Sequence, residues 1–157
     1  MLNQKLYRTV ALAFGGTLAF AQEHHIPEQP IEFSHRLHAA LPLKCRECHG
    51  SPDPGFPAAS KCMACHFSIA KDKPEIRKLK SYADLKQEIP WVPVYEVPDF
   101  VKFSHRAHTR FPCEKCHGPV ATRDALWRET DISMAGCVGC HRQNRAPTKC
   151  RVCHEER

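Results

Sequence analysis

The residues able to do chemistry fall in one pentapeptide used five times: Cys45-Arg-Glu-Cys48-His49, Cys62-Met-Ala-Cys65-His66, Cys113-Glu-Lys-Cys116-His117, Cys137-Val-Gly-Cys140-His141 and Cys150-Arg-Val-Cys153-His154. Together these copies use all ten cysteines of the chain. C-x-x-C-H is the attachment signature of c-type haem: two thiols three positions apart form thioethers to the vinyl groups of one porphyrin, and the adjoining imidazole ligates the iron. A zinc ribbon would need four ligands per metal and gives no reason for a histidine after every second cysteine. Disulfides closed within each C-x-x-C would be small strained loops that also leave the histidines unused. A dithiol redox protein carries one such motif beside a β-α-β pattern, which is missing here. The sequence therefore predicts five covalently attached haems c, held by Cys45, Cys48, Cys62, Cys65, Cys113, Cys116, Cys137, Cys140, Cys150 and Cys153. His49, His66, His117, His141 and His154 are their proximal iron ligands.

Five distal positions then remain, and six histidines lie outside the motifs: His24, His25, His35, His38, His105 and His108. Four of these belong to a repeat. Phe33-Ser34-His35-Arg36-Leu37-His38 precedes the first motif, and Phe103-Ser104-His105-Arg106-Ala107-His108 precedes the third, with Gly50 and Gly118 following the two motifs alike. Histidines three apart share one face of a helical turn, so each pair can point into a haem cluster. His35, His38, His105 and His108 are expected as distal ligands, and either Met134 or one of His24 and His25 completes the set. Met63, between its own motif's cysteines, is badly placed for this. Six-coordinate irons leave no place for a substrate, which makes the chain an electron carrier rather than an enzyme. Bis-histidine ligation lowers a reduction potential and a Met/His pair raises it. Two alternatives stand beside the carrier: a haem reductase with one open iron, and a polymeric cytochrome wire in which His24 or His25 ligates a haem of the next subunit.

The elements that must position these ligands are short. Ser51 to Pro57 reads as a loop. Residues 74–88 predict a helix with a first-turn proline and an apolar stripe of Ile76, Leu79, Ala83 and Leu85. Residues 89–101 alternate apolar residues with prolines and are extended, at most an edge strand, with Trp91, Tyr95 and Phe100 covering porphyrin surface. Val120 to Thr130 is expected to pair briefly as a strand, and a short helix starts near Asp131 or Ser133 before the fourth motif. The predicted fold is mainly α and irregular, with short helices and loops wrapped around a haem core and minimal β-structure. Residues 22–157 form one domain: a two-haem module at 33–66, a connector with a helix at 67–99 and a three-haem module at 100–154.

Residues 1–21 read as a secretory signal, with Lys5 and Arg8 before an apolar stretch and Ala19-Phe20-Ala21 as the cleavage site. Cleavage after Ala21 leaves 136 of the 157 residues, and export fits haem attachment outside the cytoplasm, so a periplasmic location is expected. The formal charge of +6 misleads about partners, because ten propionates outweigh it. The basic residues are propionate partners and solvated surface rather than a nucleic-acid patch. Redox proteins or membrane quinol oxidoreductase subunits are the expected partners, with peripheral membrane association left open.

The Phe-Ser-His-x-x-His unit followed by C-x-x-C-H resembles the class III, low-potential multihaem cytochromes c. That resemblance implies that His35 serves the haem of Cys45 and Cys48, that His105 serves the haem of Cys113 and Cys116, and that His38 and His108 reach other haems. Residues 74–154, with Ile89-Pro90-Trp91, Val97-Pro98-Asp99-Phe100-Val101, Cys116-His117-Gly118-Pro119-Val120 and Ser133-Met134, are similar to pentahaem subunits of alternative complex III-type quinone oxidoreductases. This second resemblance implies Met134 as a distal ligand. Some of those complexes carry a membrane-anchored haem subunit, whereas this N-terminus reads as cleavable.

Overall fold

The computed structural model describes residues 24–154, so the expected signal segment at residues 1–21 lies outside the described residues. Eight short α-helices occur among them, joined by loops, with no sheet. Each Phe-Ser-His unit starts a helical turn: α1 (His35–Ala39) is capped by Ser34, whose hydroxyl accepts from Leu37 N–H, and α5 (His105–His108) follows Ser104. The motifs lie on α2 (Cys45–His49), α3 (Ala59–His66), α6 (Glu114–His117), α7 (Met134–Gln143) and α8 (Cys150–Cys153). Gly50 and Gly118 end α2 and α6 at φ +78° and +69°, a conformation that residues with a Cβ adopt only under strain.

The connector helix α4 (Pro74–Asp84) begins with its proline as expected but stops before residue 88. A Schellman turn ends it: Gln87 N–H donates to Tyr82 O at 2.9 Å and Lys86 N–H to Ala83 O at 3.2 Å, with Lys86 left-handed at φ +52°. Leu85 therefore leaves the expected stripe and is exposed. Leu79 is buried with Ile31, Ala59 and Ile89, and Ile76, Met63, Tyr82, Ala83 and Trp91 pack around them. This small core joins α3 and α4. The segment before α1 is tied down at its edge, since the Gln29 side chain exchanges two hydrogen bonds with the backbone of Val92 (2.9 and 3.0 Å).

The expected strand within Val120–Thr130 does not form. Val120–Thr122 is a single 3-10 turn, and Glu129 and Thr130 N–H donate to the Tyr95 hydroxyl instead of to a neighbouring strand. An isolated antiparallel bridge between Val101 and His154 is the β-pairing found among the described residues. The short helix before the fourth motif does form, capped by Ser133, whose hydroxyl accepts from Gly136 N–H while Asp131 accepts from Ser133. A Cβ on Gly136 would lie 2.3 Å from Asp131 O, so the capping loop requires glycine. A second Schellman turn ends α7, with Arg145 at φ +52° and Ala146 N–H on His141 O at 2.8 Å. It ends the helix ahead of the short loop that leads to α8.

Relieving the left-handed strain at the end of α4 is expected to stabilise the protein. Lys86→Gly should gain about 1 kcal/mol, whereas Leu79→Ala should lose about 3 kcal/mol by opening a cavity. Thermal unfolding of the haem-loaded protein measures both.

Candidate haem sites

The imidazoles meet in pairs. His35 faces His49 with ring centroids 6.3 Å apart and planes at 5°, and His105 faces His117 at 6.4 Å and 12°. His38 meets His66 at 6.0 Å and 60°, and His108 meets His141 at 6.1 Å and 40°. Two metal–imidazole bonds of about 2 Å, with half a ring beyond each, give a centroid separation of about 6.4 Å. Each gap therefore fits one iron. Among the described residues no three His, Cys, Asp or Glu side chains converge as they would around a bare ion. Opposed pairs beside a two-cysteine helix suit the iron of a porphyrin, not tetrahedral zinc.

Backbone carbonyls orient five of these rings. Nδ1 of His38, His49, His66, His108 and His141 lies 2.8, 2.9, 3.0, 2.8 and 2.6 Å from the carbonyl oxygens of Ser34, Gly55, Ile69, Ser104 and Pro147. A carbonyl only accepts, so Nδ1 carries the proton and Nε2 keeps the lone pair that a metal needs. Burial, then His49 and His38, pushes the His35 pKa down to about 4. Burial, then His105 and His49, lowers that of His117. Both shifts favour the neutral ring, the form in which an imidazole binds a metal.

Thiols of different motifs act on one another electrostatically. The Cys62 pKa is raised by burial and then by Cys48, that of Cys113 by burial and then Cys45, and that of Cys137 by burial and then Cys153. The two repeated units brace one another crosswise. Arg36 in the first unit pairs with Asp124 beyond the third motif at 2.7 Å, and Arg106 in the second pairs with Asp53 beyond the first motif at 3.2 Å. Hydrogen bonds from Arg36 and Ser34 hold the Asp124 carboxyl below its usual range. Exposed pairs of this kind add little stability, but their reciprocity relates the two units by an approximate two-fold.

Around the fifth motif, the His154 ring lies against Phe100 at 5.9 Å, and no imidazole faces it among the described residues. Met134 is 72% exposed on the first turn of α7, one turn before Cys137. His24 stacks on Trp127 at 4.7 Å and faces no motif histidine; His25 is exposed. Sequence reasoning treated Tyr95 as porphyrin cover and missed its bracing role. Its hydroxyl donates to Cys116 O at 2.7 Å and accepts from Glu129 and Thr130 N–H, with the ring edge-on to His117. Asp53, Asp124 and Arg123 carried no signal in the sequence, whereas Arg36 and Arg106 stood within the repeated string.

Opposed imidazoles beside C-x-x-C helices define a multihaem c-type cytochrome. The sequence profile of the class III cytochrome c family matches residues 17–89. The chain is 36% identical over 55 residues to cytochrome c3 of Desulfuromonas acetoxidans, covering 34% of this chain and 79% of that protein. It is 33% identical over 114 residues to the menaquinone reductase multiheme cytochrome c subunit of Nitratidesulfovibrio vulgaris, covering 69% of this chain and 54% of that subunit. The chain thus spans about half the length of that relative. It belongs to the class III cytochrome c family, whose members bind haem c. No helix among the described residues is long and apolar enough to cross a membrane.

Tyr95→Phe removes one donor and one acceptor that serve three backbone groups at the third motif. It is expected to lower the unfolding free energy by about 2 kcal/mol, read by chemical denaturation of the haem-loaded protein.

Proposed function

We propose that the chain is a pentahaem electron carrier of the periplasm, exported with cleavage after Ala21 and working against the subunits of a membrane quinol oxidoreductase or another redox protein. What carries this reading is the set of four imidazole pairs whose centroids stand 6.0 to 6.4 Å apart. Haem c supplies one-electron exchange at each motif. The ten motif cysteines hold the five haems, and His49, His66, His117, His141 and His154 bind from the proximal side. His35, His38, His105 and His108 bind opposite the first, second, third and fourth motif histidines respectively. With imidazoles on both sides these sites take no substrate, and their potentials are held low. The domain divides as its ligands do, into residues 33–66, a connector at 67–99, and residues 100–154.

Shared helical turns put the second motif beside the first and the third beside the fourth, and the crossed ion pairs set the first against the third. α1 joins the second and first because His35 and His38 lie on one turn, and the Cys48 and Cys62 thiols act on one another there. The Arg36–Asp124 and Arg106–Asp53 pairs join the first and third. α5 joins the third and fourth through His105 and His108, and the fifth follows the fourth after the short loop that ends α7. Met134 is the fifth distal ligand, since its turn of α7 precedes Cys137 while His24 is engaged by Trp127. A thioether there sets the end site higher in potential than the other four. That difference gives the series a direction. Menaquinone reductase, the name borne by the relative, supports a quinone-linked partner.

A pyridine haemochrome assay with intact mass should find five haems per chain on residues 22–157; four or fewer breaks the proposal. Wild-type protein should be wholly low-spin, and a high-spin signal would favour the reductase with an open iron. His38→Ala and His108→Ala should each turn one haem in five high-spin. Met134→His should keep every haem low-spin while lowering the highest potential, as seen by electron paramagnetic resonance and redox titration.

A further inference from the structure

The approximate two-fold between the repeated units matches their iron sites closely. His35 with His49 and His105 with His117 stand 6.3 and 6.4 Å apart, with ring planes at 5° and 12°. Phe33 and Phe103 meet the first histidine of each unit nearly at right angles, at 4.8 and 4.9 Å. The second and fourth sites match as well, because Nδ1 of all four rings in them, His38, His66, His108 and His141, lies on a main-chain carbonyl. Charge is shared evenly too, since Arg36 of the first unit pairs with Asp124 and Arg106 of the second with Asp53.

One bond breaks the match. In the first unit the loop after α2 returns twice to the motif histidine: Gly55 N–H donates to His49 O at 2.9 Å, and Gly55 O accepts from Nδ1 of the His49 ring at 2.9 Å. In the second unit the chain after α6 enters the 3-10 turn at Val120–Thr122 instead. The Tyr95 ring stands beside His117 at 5.0 Å and 81°, and its hydroxyl is engaged by Cys116 O and by the N–H groups of Glu129 and Thr130. Among the described residues no acceptor lies on Nδ1 of His105 or His117, and Nδ1 of His35 is buried without a partner. The first site therefore has one carbonyl on its rings and the third has none.

An acceptor on the Nδ1 proton makes a ligating imidazole more basic at its other nitrogen. A more basic ligand favours the more positive iron, and the reduction potential falls.

We infer that the Gly55 carbonyl, acting through His49, sets the first haem below the third in reduction potential. Gly55 is a positioning residue, since it holds the ligand and not the iron. One electron leaving the reduced first site reduces the oxidised third, so an electron shared by the two rests on the third. The inference rests on the haem reading above.

Stepwise reduction of the haem-loaded protein, with individual haems resolved by nuclear magnetic resonance, tests this. In the wild type the equilibrium between the two sites should favour the reduced third haem about threefold, which is about 28 mV at 59 mV per tenfold. Gly55→Pro removes the N–H that ties the loop to His49 O, and a Cβ at this position meets nothing within 4 Å. It should raise the first haem level with the third and leave the third where it is. Gly55→Ala keeps the N–H and should keep the gap. Proton exchange gives a second reading that needs no variant: the Nδ1 proton of His49 should exchange more slowly than that of His117. A first haem reduced together with or before the third in the wild type overturns the inference, as do a gap that persists in Gly55→Pro and equal exchange at the two rings. A wild-type protein with fewer than five haems fails the underlying reading before any potentials are compared.

Discussion

Two imidazoles that close on one atom must arrive from opposite sides with their ring nitrogens in line, and the described structure is largely the means of arranging that. Each histidine of a Phe-Ser-His-x-x-His turn faces a different motif histidine, so one helical turn of four or five residues sets two sites at once. The rings are then kept from turning by main-chain carbonyls rather than by carboxylates. That choice orients the rings without placing a carboxylate beside them; the carbonyls of Gly55, Ile69 and Pro147 come from loops after the motif helices, and those of Ser34 and Ser104 from the caps of α1 and α5.

The repeat explains how the two halves are joined. Arg36 crosses to Asp124 and Arg106 to Asp53, each arginine reaching the acid that follows the other unit's motif. Such reciprocity is the mark of a two-fold relation, ordinarily found between subunits. Here it lies within one chain and sets the first motif against the third. Tyr95 and the Arg123–Glu129 pair reinforce the same region from the side of the third motif. The fourth and fifth motifs, outside the repeat, are linked instead by the Schellman turn at Arg145 and a short loop.

Much of the site was legible because it is written in local spacing. C-x-x-C-H and H-x-x-H are helical periodicities, and the Ser133 cap and the Pro74 start are local signals as well. What escaped depended on partners far along the chain. The Tyr95 hydroxyl meets groups 21 to 35 residues away, and no pattern around Tyr95, Asp53 or Asp124 announces it. The expected strand at Val120–Thr130 failed for the same reason, since its propensity was overridden by a hydroxyl that took up the backbone N–H groups. The helix expected to residue 88 ended early because Lys86 turned left-handed where glycine is usual. Which motif histidine each second histidine faces also lay beyond the sequence, as helical spacing gives a direction but no distance.

The helices themselves bear on how such a protein comes into being. None among the described residues exceeds the 11 of α4, and several have four or five, whereas an isolated helix needs about 12–15 residues to hold in water. Four buried apolar residues among the described ones cannot make up the difference. The bare polypeptide is then a loose string along which each pair of thiols stays accessible, and the order of biogenesis follows: attachment comes first and folding second. A chain that misses one prosthetic group lacks the anchor of the turns on either side of it, so incomplete molecules present themselves to proteases as unfolded ones.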